Sequence, residues 1–295
     1  MSISGLTIIG ERINPGFRST QALFEQENFK EIQELAIRQA QAGARYLNIN
    51  AGTKALENPE FLFELIRQVQ AVVALPLSVD CPDPSVLEGA LKTYDPAKAN
   101  GQKPIINSIA ASRWDLKESL KVRPCKVIVM SSERFVDGDL AACKVGDEVH
   151  ASAREMVGVL KSENPEMNND DFFVDVSIVT LAADAEGLLK MALDGIQLIK
   201  NDTDLHGVHI MGGLSNLPQF LPSKAVDGSD LKHQLECAFL TVAIPAGFNT
   251  VLGTPWRKYE LLPEDNFVLR TFREIIELRD HDALMSVMKL YEKTV

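Results

Sequence analysis

The stretch Leu6-Thr7-Ile8-Ile9-Gly10-Glu11-Arg12-Ile13-Asn14-Pro15-Gly16 decides between two α/β architectures. Its first half is a short apolar run of the kind that forms a strand buried on both faces. Its second half is not the G-x-G-x-x-G turn that usually starts a doubly wound open sheet. A carboxylate and an amide, Glu11 and Asn14, stand there instead. The same plan recurs down the chain. Residues 45–49 lead into Asn50-Ala51-Gly52, 77–79 end at Asp80, 104–106 at Asn107, and 172–174 at Asp175. Residues 207–211 run into Gly212-Gly213-Leu214-Ser215-Asn216, and further strand-like runs lie at 126–130 and 249–252.

Helical stretches separate these runs. Residues 19–41 read as one helix, with Ile32, Leu35, Ala36 and Ala40 at helical spacing. Others lie at 61–73, 84–93, 115–120, 147–160, 184–200, 231–246, 266–278 and 281–292. About eight strand–helix units at even spacing predict an α/β fold, a single-domain (β/α)8 TIM barrel over residues 1–295. The open sheet is the alternative, and the turn after the first strand speaks against it. In a barrel the C-terminal strand ends build one mouth. The carboxylates and amides above then collect there. A mouth rich in Asp and Asn suits a neutral, hydrogen-bonding heterocycle. Long polar connections at 131–148, 217–230 and 253–265 belong to the same face, as lids, docking segments or plain solvated insertions.

Composition narrows the function classes. A formal net charge of -11 disfavours general nucleic-acid binding, which rests on Lys and Arg against phosphates. No apolar stretch reaches the length that spans a bilayer, and residues 1–10 lack a basic leader. Cys81, Cys125, Cys143 and Cys237 form no C-x-x-C pair, so reduced thiols in the cytoplasm are expected. No metal site is expected. His206 and His209 are three apart at a strand, where side chains alternate faces, and His150, His233 and His281 are isolated. Asp204-Leu205-His206 begins the D-x-H-x-x-G pattern of corrinoid binding, but His209 does not continue it, so no tightly held corrinoid is expected in this chain.

Asp80 and Asp175 are the candidate acceptors for paired N–H donors, such as the ring N–H and exocyclic amine of a pterin or purine. Asp83 is better placed than Asp80 to cap the helix at 84–93, and Asp175 has no helix to cap. Asn107 offers both a donor and an acceptor. Gly213 lets backbone approach a ligand, and Asn216 at the end of that turn can reach a ring nitrogen.

The segments Ile9-Gly10-Glu11-Arg12-Ile13-Asn14, Gly43-Ala44-Arg45-Tyr46-Leu47-Asn48-Ile49-Asn50, Leu77-Ser78-Val79-Asp80, Ile106-Asn107-Ser108 and Gly213-Leu214-Ser215-Asn216 together resemble the pterin-binding methyltransferases. That family includes methyltetrahydrofolate:corrinoid protein methyltransferases and the folate module of cobalamin-dependent methionine synthase. The resemblance spans most of the chain, in order. It implies a (β/α)8 barrel, usually homodimeric, that moves a methyl group between N5 of tetrahydrofolate or 5-methyltetrahydrofolate and a corrinoid carried by a partner protein. It also implies that Asp80, Asn107 and Asp175 hold the pterin edge and that Asn216 is the catalytic amide at N5. Gly213, Ser215, Gln219 and Lys224 belong to the same loop, which is longer here than in that family, and Glu11 and Asn14 shape the first turn.

Two rival readings remain. Dihydropteroate synthase shares the barrel, but Gly52-Thr53-Lys54-Ala55 lacks the Ser-x-Arg-Pro-Gly type of segment that family carries after its second strand. A non-catalytic folate-binding subunit would hold the pterin and turn nothing over.

Overall fold

A computed structural model describes residues 3–292. The strands run in chain order as β1 (Thr7–Ile13), β2 (Tyr46–Asn50), β3 (Leu77–Asp80), β4 (Ile105–Ile109), β5 (Lys126–Met130), β6 (Glu133–Val136), β7 (Asp139–Ala142), β8 (Phe172–Asp175), β9 (His209–Gly213) and β10 (Thr250–Gly253). All but β6 and β7 close into a parallel barrel in the order β1-β10-β9-β8-β5-β4-β3-β2. With the surrounding helices this is a (β/α)8 barrel, as the spacing predicts.

Short apolar strands follow from a wall buried on both faces. The outward residues pack under the helices in one large core that includes Leu47, Ile49, Val79, Ile106, Val127, Val129 and Val174. The inward residues form a separate plug of Ile9, Ile105, Ile128, Phe173 and Met211, with Tyr46 and Leu252 against it. The Phe173 ring lies edge-on to Tyr46 at 5.6 Å and stacks on His209 at 4.4 Å. That stack closes the barrel floor. The barrel is therefore filled rather than open, and a ligand can enter only from the other end.

Several local readings are corrected. The helix expected at 19–41 is two, Arg18–Glu25 and Phe29–Gln41. Glu27 turns left-handed at φ 48°, and Asn28 caps the second helix through its side chain on Glu31 N. Apolar spacing continues through both helices, so periodicity alone hides the break. The helix expected from 184 begins at Leu188, and the Asp184 carboxylate accepts from Leu188 N at 2.7 Å and Leu189 N at 2.9 Å. The stretch at 115–120 is part of a 3-10 run, Ala111–Lys121, interrupted at Arg113. The polar connection after β5 is not irregular: it folds into the antiparallel hairpin β6–β7, which leaves Phe135 and Leu140 exposed. Asp83 caps its helix, accepting from Ser85 N and Val86 N at 2.9 Å each.

Candidate active site

Side chains on a strand alternate faces, so the residue two positions beyond each plug residue also points inward. That step leads from Ile9 to Glu11, from Tyr46 to Asn48 and Asn50, and from Ile105 to Asn107. It leads from Phe173 to Asp175, from Met211 to Gly213, and from Leu252 to Thr254. On β3, in register with these neighbours, it leads from Ser78 to Asp80. The barrel interior thus changes within one layer from an apolar floor to a C-terminal rim rich in carboxylates and amides, interrupted by Met130 two positions beyond Ile128.

The β2–β4 side of the rim is one network. Asn50 Nδ2 donates to Asp80 Oδ2 at 2.8 Å, and Asn48 Nδ2 reaches the same oxygen at 3.3 Å. Asn107 Nδ2 donates to Asn48 Oδ1 at 3.0 Å. Asn50 is itself held, because its Oδ1 accepts from Gly52 N at 2.7 Å. Burial raises the pKa of Asp80 against the lowering effects of these amides and of Arg113. Arg113 is anchored on Ser108 Oγ at 2.8 Å.

Asp175 stands alone across the mouth. Its Oδ1 accepts from Ser177 N at 2.7 Å. Burial pushes its pKa up to about 6, opposed only by that one N–H. A carboxylate in this state gains from any ligand that brings N–H donors, since these favour its charged form.

The third side joins β1, β9 and β10. Glu11, only 5% exposed, accepts from Ser215 Oγ and from Thr254 Oγ1, both at 2.7 Å. One carboxylate therefore ties the first strand to the loops after the last two. Burial raises its pKa despite those hydroxyls. Beyond it Glu236, almost wholly buried, pairs with Arg257 at 3.1 Å, and burial lifts its pKa to about 8. A cavity of about 520 Å³ opens on this side, walled by residues that include Glu11, Asn14, Phe17, Gly213, Ser215, Asn216, Gln219, Lys232, Glu236 and Arg257. Its size is that of a small-molecule site. A Cβ on Gly213 would stand 3.0 Å from Asn216 Nδ2, so a side chain there would push Asn216 from its place.

The sequence-selected residues fall into three groups. Asp80 and Asp175 are the last residues of β3 and β8, whereas Asn107, expected at a strand end, lies mid-strand because β4 runs on to Ile109; Asp80 and Asn107 are linked through Asn48. Glu11, Asn14, Gly213, Ser215, Asn216 and Gln219 line the cavity, and Gln219 Nε2 donates to Asn216 Oδ1 at 3.0 Å. Lys224 lies apart: it is exposed, in a loop bridged to Asp230, and Lys232 is the lysine in the cavity wall. Sequence reasoning gives Asn48 and Asn50 no role of their own, although amides alternating with Leu47 and Ile49 are an available signal. Glu236 also has a signal, as a lone carboxylate in the apolar run of Leu231–Ala246. Arg113 and Arg257 have none.

The family model described as pterin binding enzyme matches residues 11–252. The chain belongs to the pterin binding enzyme family. One relative, a methylcorrinoid:tetrahydrofolate methyltransferase from Eubacterium limosum, is 24% identical over 257 residues, 85% of either chain. Among solved structures, a dihydropteroate synthase from Xanthomonas albilineans is similar, with a TM-score of 0.56 and 19% identity over 86% of this chain and 88% of that one. The enzyme of the same name from Thermus thermophilus gives 0.53 at 16% identity, over 86% and 90%. At these identities the structural likeness shows the barrel and no more. Within the pterin binding enzyme family, the rim is where this chain carries its polar inventory.

Proposed function

We propose that this pterin-binding enzyme moves a methyl group between N5 of tetrahydrofolate and the cobalt of a corrinoid held by a separate protein. One observation carries the reading: two carboxylates on opposite sides of the rim, Asp80 and Asp175, each have one oxygen tied to the protein and one without a partner among the described residues. Two such oxygens at the edge of a barrel mouth suit the N–H groups of a reduced pterin. The Eubacterium limosum relative, methylcorrinoid:tetrahydrofolate methyltransferase by name, supports the choice of reaction.

The corrinoid supplies the cobalt that gives or accepts the methyl group. The chain's own residues do the rest. Asp80, Asn107 and Asp175 orient the ring, which aligns N5 with the open end of the barrel. When the methyl group leaves N5, the N–C pair stays on nitrogen, and the ring becomes a better leaving group if that nitrogen is protonated. Asn216 favours the protonated ring by accepting from it through Oδ1, a stabilisation of charge rather than acid catalysis. Gln219 already donates to that oxygen at 3.0 Å, which leaves its second lone pair for the ring. The resemblance extends the reading to a homodimer, the four free thiols suit the cytoplasm, and the same site serves transfer in either direction.

The test is spectroscopic. Mixing the protein with methyltetrahydrofolate and Co(I) cobalamin should bleach the Co(I) absorption band at a rate proportional to enzyme. A band that persists, with pteroate formed instead from p-aminobenzoate and a dihydropterin diphosphate, would move the protein to dihydropteroate synthase chemistry. Tight tetrahydrofolate binding with neither reaction would mark a binding subunit.

A further inference from the structure

Beside the cavity the chain builds a ladder of alternating rings and guanidinium groups. Phe17 lines the cavity wall. The Arg12 guanidinium lies 3.7 Å above its ring and 5.8 Å from the ring of Trp256, and Arg38 lies 4.0 Å from the other rung, Trp256. The three elements involved are the first strand with its turn, the helix Phe29–Gln41 and the segment after β10. The ladder therefore runs from the mouth out to solvent, where Arg38 is exposed.

Its charge is uncompensated. Among the described residues neither Arg12 nor Arg38 pairs with a carboxylate, in a protein whose net charge is -11. Arg12 Nε is buried without any hydrogen-bond partner. Burial holds the Arg12 guanidinium below its usual range, Glu11 opposes that, and Arg257 and Arg38 add to it. Packing alone gives no reason to hold two guanidinium groups without carboxylate partners, Arg12 and Arg38, against the one ring of Trp256. An anion that reaches them does.

We propose that the Phe17–Arg12–Trp256–Arg38 ladder is a subsite for the polycarboxylate tail of the substrate, a chain of glutamates carried on the p-aminobenzoyl ring of a folate. The inference rests on the pterin reading above and deepens it. The aromatic rungs take the benzoyl ring near the mouth, by stacking beside Phe17. The guanidinium groups take successive carboxylates farther out. Arg38 meets the outermost of these, so its contribution appears only with more than one glutamate.

The experiment is a calorimetric titration of the full chain with tetrahydropteroyl monoglutamate and with the triglutamate. The wild-type protein should bind the triglutamate about two- to five-fold tighter, the range expected of exposed cation–carboxylate pairs, and the preference should shrink as salt is raised. Arg38→Gln should remove most of the preference, and Arg38→Lys should keep part of it. Arg38 sits on an exposed helix face, so neither change threatens the fold. Inorganic phosphate should compete weakly with the triglutamate, as a test of generic anion affinity. Equal affinity for the two folates in the wild type, or a preference that survives Arg38→Gln, would overturn the subsite while leaving pterin binding intact. Failure of both folates to bind would overturn the pterin reading itself, and the subsite with it.

Discussion

Asn50 donates its side-chain N–H to Oδ2 of Asp80 at 2.8 Å and leaves Oδ1 of that carboxylate without a protein partner among the described residues. The arrangement is directional. With Asn48 on the same oxygen, both amide donors hold Oδ2 and neither reaches Oδ1. Buried carboxylates are ordinarily saturated by their surroundings, and a half-satisfied one is a site waiting for donors.

Asp80→Asn replaces the charged acceptor with a neutral amide of the same shape. Hydrogen bonds to charged groups contribute about 1.5–3 kcal/mol, so tetrahydrofolate affinity should fall roughly ten- to a hundred-fold. Calorimetry measures this directly. Unchanged affinity would remove Asp80 from the site.

Asn50→Ala tests orientation rather than contact. Two hydrogen bonds are lost, one to Asp80 and one from Gly52 N. Stability should drop by about 1–3 kcal/mol in urea unfolding, and folate binding should weaken by several-fold. A variant that loses stability but binds folate as the wild type does would show that Asp80 needs no such support.

Asp175 makes a prediction about pH. Its pKa in the folded chain is about 6, above the unfolded value of 3.8, so the folded state holds the proton more tightly. The stability linked to this group is present below the unfolded value and is lost as pH rises through about 6, by on the order of 3 kcal/mol. Asp175→Asn keeps an oxygen for Ser177 N and cannot ionise. At pH 8 it should unfold at higher urea than the wild type, with a gain of about 1–3 kcal/mol that disappears near pH 4. Folate affinity should move the other way, since the wild type binds through the charged form and weakens as pH falls below about 6. Unfolding curves that show no gain at pH 8 would contradict the burial penalty assigned to this carboxylate.

Asn216→Ala should leave the fold intact, because the side chain is exposed and meets only Gln219. Methyl transfer should slow by one to two orders of magnitude, about 1.4–2.7 kcal/mol in barrier height. Gln219→Ala should cost much less, since it frees the oxygen that Asn216 uses. Stopped-flow rates with saturating folate separate the two, and full activity in Asn216→Ala would exclude it from the chemistry.

The barrel was legible because each strand is a short apolar run that ends in a polar side chain, a pattern imposed by walls buried on both faces. Asp80 and Asp175 were legible for the same reason, as the last residues of β3 and β8, and Asn107 as the first polar residue after the apolar run that opens β4. The split at Asn28 was not, because apolar periodicity is indifferent to a capped turn inserted between two helices that share one buried face. Lys224 shows a different limit. The loop from β9 to the helix at Leu231 folds back on itself through the bridge to Asp230, so sequence distance along it says little about distance from the mouth. Arg113 and Arg257 reach their places from 3-10 segments just beyond β4 and β10, where no periodicity points a side chain anywhere.

The central claim is that side chains from β3, β4, β8 and the turn after β9 converge on one pterin ring. Titrating tetrahydrofolate into the wild type and into Asp80→Asn, Asn107→Ala, Asp175→Asn and Asn216→Ala, each confirmed folded, tests it most directly. One bound folate per chain is expected, with every variant weakening that single event or, for Asn216, slowing the transfer after it. Variants on the β3–β4 side that leave both affinity and transfer untouched, while those lining the cavity abolish them, would contradict it.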